Sequence, residues 1–64
     1  MTDVSLALVV AWSLAGWGDG IGLTCAIEVR PRAVVVLCDD KINSWHQFTV
    51  SPDGKITYAA GRDS

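Results

Sequence analysis

Phe48-Thr-Val-Ser-Pro-Asp-Gly-Lys-Ile-Thr-Tyr58 is the stretch on which the fold turns. Pro52 pre-sets φ for the first corner of a type I turn, Asp53 tolerates the second, and Gly54 supplies the left-handed residue that returns the chain. The result is a three-residue hairpin loop with a bulge at Gly54. It pairs Ser51 with Lys55, Val50 with Ile56, Thr49 with Thr57 and Phe48 with Tyr58. Phe48, Val50, Ile56 and Tyr58 then share one face while Thr49 and Thr57 share the other, so turn chemistry and hydrophobic pattern specify the same register.

Upstream, Leu23 to Arg30 alternates. Leu23, Cys25, Ile27 and Val29 face one way, and Thr24, Ala26, Glu28 and Arg30 the other. Pro31-Arg32 makes the next corner. Proline cannot take the positive φ of the usual two-residue hairpin loop, so a four-residue loop from Arg30 to Ala33 around a type I turn is expected. This pairs Val29 with Val34, Ile27 with Val36 and Cys25 with Cys38. Ala33 to Cys38 is apolar on both faces, as suits a central strand covered on two sides. Asp39, Asp40, Lys41, Asn43 and Ser44 form a polar turn region, and residues 62 to 64 are expected to fray.

Residues 4 to 15 admit two readings. Val4, Leu6, Leu8, Val10, Trp12 and Leu14 are large, whereas Ser5, Ala7, Ala11, Ser13 and Ala15 are small, with Val9 the one exception, which is period two over a dozen residues. Ala and Leu content favours helix, with Thr2 or Asp3 as N-cap. A helix of these residues would be apolar all round and would need burial on every side. Sixty-four residues cannot supply that, so the strand reading is preferred. Gly16, Gly18, Gly20 and Gly22, with Asp19, read as a mobile hairpin loop. Their Gly-x-Gly spacing matches neither the dinucleotide fingerprint nor the P-loop, and no Lys-Ser/Thr follows.

The expected architecture is therefore mainly β: a single small domain over residues 1–64, an antiparallel meander of four to five strands. It would form an open barrel or a sheet stacked on a copy of itself. The alternative is α+β, with residues 4–15 as a helix on a four-stranded sheet. Half the residues are hydrophobic, which is hard for so short a chain to hide and favours self-association or a permanent partner.

Formal charge is −2, from seven acidic and five basic side chains, so there is no electrostatic footprint for nucleic acid. The uncharged run from Val4 to Gly18 falls short of the roughly 18 to 20 residues that span a bilayer. Asp3 stands where a signal peptide needs positive charge, so no membrane role and a cytoplasmic location are expected.

Candidate chemistry is sparse. Without an export signal, Cys25 and Cys38 are expected as core thiols, with a disulfide as the alternative. Those two with His46 and Asp39 or Asp40 lack the Cys-x-x-Cys or His-x-x-x-His bite of a zinc site, so no metal is expected. His46 is placed at a strand edge or capping the hairpin. Asp39 and Asp40, adjacent on a strand, point to opposite faces and fit a turn better than a catalytic pair. No catalytic residue and no cofactor are expected.

The aromatic residues carry the functional expectation. Trp12 and Phe48 read as core, whereas Trp17 and Trp45 have less reason for burial. With Arg30 and Arg32 they are the candidate protein-binding residues, of the types enriched in interface hot spots. The sequence thus points to a non-enzymatic interaction module that docks on another protein or on itself. A small inhibitor, adaptor or assembly subunit of the kind carried by compact viral and mobile-element genomes fits. The alternative is a small-barrel binder of nucleic acid or a small ligand, with Trp17, Trp45 and Tyr58 as stacking platforms.

Overall fold

The computed structural model describes residues 4–40 and 44–62. A helix, α1 (Ser5–Gly20), precedes four strands, β1 (Thr24–Arg30), β2 (Ala33–Asp39), β3 (Ser44–Val50) and β4 (Ile56–Arg62). The strands form one open antiparallel sheet in sequence order, a meander.

Both expected hairpins are present in the expected register. Gly54 has φ +91°, and the Ser51 amide donates to the Lys55 carbonyl at 2.9 Å. Val50 pairs with Ile56, Thr49 with Thr57 and Phe48 with Tyr58. In the first hairpin Val29 pairs with Val34, Ile27 with Val36 and Cys25 with Cys38. The expected four-residue loop is corrected to a two-residue corner: Arg30 pairs with Ala33, so only Pro31 and Arg32 lie outside the ladder, and the register beyond them is the same with either loop. Between β2 and β3 the Asp40 amide donates to the Ser44 carbonyl, and the Ser44 amide to the Asp40 carboxylate. Lys41 and Asn43 lie outside the described residues, as do Thr2 and Asp3, the expected N-caps, and the terminal residues 63 and 64. Arg62 closes β4 rather than fraying.

The strand reading of residues 4–15 is corrected: residues 5–15 lie in α1 and Val4 is its N-cap, so the α+β alternative holds, with an open sheet rather than a barrel. The small residues explain the outcome. Ala7, Ala11 and Gly18 recur at helical spacing and are buried, so the helix backbone lies close to the sheet. Ala and Leu also favour helix intrinsically. Ala7 and Ala11, two of the small residues in the bulk alternation that resembles a strand, belong to that stripe.

The glycine-rich stretch is likewise corrected from loop to helix. Gly16, Gly18 and Gly20 belong to α1. The chain turns out of the helix at Gly22, the residue after the Ile21 C-cap, whose φ is +94°. The Gly22 amide donates to the Asp19 carbonyl at 3.2 Å and the Leu23 amide to the Gly18 carbonyl at 2.9 Å, the paired bonds of a Schellman cap.

Cys25 and Cys38 are joined in a disulfide rather than held as free thiols. The sulfur atoms lie directly under the helix: a Cβ on Gly18 would stand 2.7 Å from Cys25 Sγ. The core runs between α1 and the sheet and comprises Ala7, Ala11, Val34, Val36, Cys38 and Val50. Val35, on the far face, is also buried, flanked in register by Glu28 and Thr49. Among the described residues no helix is long and apolar enough to cross a membrane.

Candidate functional site

Strands spaced about 4.8 Å apart make a four-stranded sheet nearly 20 Å wide, whereas a helix is about 10 Å across. One helix therefore covers half of it. Here the backbone of α1 lies over β1 and β2, approaches β3 and stays clear of β4, with the Leu6 side chain reaching the Gly54 turn. The register places His46, Phe48, Ile56 and Tyr58 on the helix-bearing face, in the half that stays open.

The open half is an apolar groove of about 530 Å³. Leu14, Trp17, Ile21 and Leu23 form its wall, and His46, Phe48 and Tyr58 its floor. The wall follows from helical spacing, since Leu14, Trp17 and Ile21 fall on one side of the helix end. The floor follows from strand alternation and the Gly54 turn. Phe48 and Tyr58 stand opposite one another with ring centroids 5.0 Å apart. The polar element of the floor is a 2.7 Å hydrogen bond between His46 Nδ1 and the Tyr58 hydroxyl, in which the imidazole tautomer decides the donor. The rings of this pair are nearly parallel.

The four expected binding residues do not form one surface. Trp17 is at the groove. Trp45 is on the opposite face, half-buried against Gly61, where a Cβ would meet its ring at 2.6 Å. Arg30 and Arg32 stand at the β1–β2 corner, the far end of strands about 20 Å long. Arg30 also engages Glu28 at 2.7 Å. Trp12 was expected in the core but is 67% exposed, on the side of α1 turned away from the groove. Phe48 packs against the core as expected. His46 lies on an inner strand rather than at an edge or cap. Ile21 and Leu14 carry no sequence signal as site residues unless the glycine-rich stretch is helical, since only helical spacing unites them with Trp17.

Among the described residues no three His, Cys, Asp or Glu side chains gather as a metal site would require. Asp53 has its carboxyl held below the usual range, chiefly by the Ser51 hydroxyl and then by the Lys55 amide; this belongs to the hairpin turn, away from the groove. No family model, curated protein or solved structure matches the chain.

Proposed function

We propose that this chain is a non-enzymatic docking module whose contact surface is the groove between α1 and the β3–β4 hairpin. The observation that carries the reading is the uncovered half of the sheet: an apolar floor beside exposed Trp17 and Ile21, in a molecule with little core to spare. Aromatic side chains at the rim of an apolar depression are the usual anchors of protein recognition. An inhibitor, adaptor or assembly subunit would use the surface in the same way. Formal charge −2 weighs against nucleic acid as the occupant.

The His46–Tyr58 pair favours one second reading, a small apolar ligand oriented by that polar spot. A single set of variants separates the two. Under the docking reading, a protein captured by tagged wild-type chain is also captured by Trp45→Ala but lost by Trp17→Ala. Retention by all three proteins contradicts the assignment. Loss of capture only after extraction of a bound small molecule supports the second reading.

A further inference from the structure

We propose that the groove is filled by α1 of a second copy of this chain, in a two-fold symmetric dimer with each helix sandwiched between two sheets. The proposal rests on the docking reading above and names its partner. Its starting point is the helix. A helix that is apolar around its circumference needs burial on every side. Along α1 the only charged residue is Asp19, and one side alone meets the protein's own sheet. Val9 and Trp12 are left outward, 60% and 67% exposed, while Leu6 and Trp17 stand on the groove side, Leu6 against the Gly54 turn, and are still about half exposed.

The second surface is the open sheet. Half of a four-stranded sheet is one helix wide. Its side chains Ile56 and Tyr58 are about half exposed. The same chain thus has a sheet strip lacking a helix and a helix face lacking a sheet. A two-fold axis running between parallel copies of α1 satisfies both at once, because an isologous contact uses the two surfaces reciprocally.

The outward side of the helix is shaped for such an approach. Val9, Ser13, Gly16 and Gly20 follow the same 4-3-4 spacing as Ala7, Ala11, Leu14 and Gly18, which face the chain's own sheet. Nothing lies within 4 Å of a Cβ built on Gly16 or Gly20. The Ser13 hydroxyl donates to the Val9 carbonyl at 3.0 Å, so its burial would leave no unpaired donor. On area, Leu6, Val9, Trp17, Ile21, Ile56 and Tyr58 are each about half exposed. At roughly 100–250 Å² per side chain they present on the order of 500 Å² per copy. The helix backbone adds to this and brings it toward the roughly 600–800 Å² per partner of a specific interface.

Sedimentation velocity of the purified, disulfide-bonded chain from roughly 1 to 200 µM tests the proposal. The expected result is twice the mass of one chain at the upper concentrations. Val9→Glu and Gly16→Leu should each weaken the dimer at least about tenfold with helical circular dichroism retained, since neither position contacts the chain's own core. Thr57→Glu, on the far face, should leave it unchanged. A wild-type chain that stays monomeric overturns the proposal, as does a dimer indifferent to both helix variants. Co-sedimentation of a monomer with phosphatidylcholine vesicles also overturns it and assigns the helix face to lipid. A monomer that still captures a different protein through Trp17 removes the second copy but leaves the docking reading standing; a monomer without such capture removes both.

Discussion

Gly18 and Gly16 lie two positions apart on one helix and are expected to respond oppositely to the same methyl group. On Gly18 it meets the disulfide sulfur at 2.7 Å, whereas on Gly16 it enters open space. Gly18→Ala should therefore destabilise the chain by about 1–2 kcal/mol, overpacking outweighing the helix-propensity gain. Gly16→Ala should stabilise the isolated chain by somewhat under 1 kcal/mol. Urea denaturation at a concentration where the chain is monomeric measures both. Asp53 supplies a pH-dependent prediction. Its carboxyl is lowered by the Ser51 hydroxyl, so the folded state favours the ionised form. That contribution is complete above the unfolded value near pH 4 and is lost as pH falls through the lower folded value. Melting temperature should drop less between about pH 5 and pH 2 in Asp53→Asn than in wild type. An equal drop would show that the turn carboxylate is not held in this way.

At the level of elements, the two hairpins were legible because their turns leave little choice. Pro52-Asp53-Gly54 fixes one register and Pro31-Arg32 the other, and both agree with side-chain alternation. The direct opposition of Cys25 and Cys38 followed from that register, but their bonding did not, since spacing alone does not report redox state. The helix was the harder element. Apart from Val9, large and small residues alternate from Val4 to Ala15, imitating a strand, and the spacing of Ala7, Ala11 and Gly18 acquires meaning only beside a sheet they can approach. Its stop signal, Gly22, was hidden among three other glycines, although only Gly22 among them has positive φ. Gly22→Ala should accordingly cost about 1 kcal/mol by forcing a side chain into the left-handed region, whereas Gly20→Ala should not. Reduction of the Cys25–Cys38 bond, which links positions 13 apart, should cost about 3 kcal/mol through unfolded-state loop entropy. Denaturation with and without a phosphine reductant measures that loss.

For the molecule as a whole, the tension between an apolar helix and a short chain was visible in the sequence, and it was used there to argue against the helix. The structure keeps the helix and leaves its outward residues Val9 and Trp12 exposed, which is the burial deficit that the proposed dimer would relieve. What the sequence did not reveal is the lateral offset of α1, which leaves β4 uncovered and separates Trp17 from Trp45 by the thickness of the sheet. That offset arises from packing the small face of α1 over the disulfide and the valines of β2, a choice made in three dimensions. An isotope-filtered nuclear Overhauser experiment on an equimolar mixture of labelled and unlabelled chain tests the arrangement most directly. Contacts between chains are predicted from the Val9 methyl groups to the Ile56 methyl groups and the Tyr58 ring. Their absence at concentrations where the chain is associated, or their appearance only at far-face residues such as Gln47 and Ala59, would contradict it.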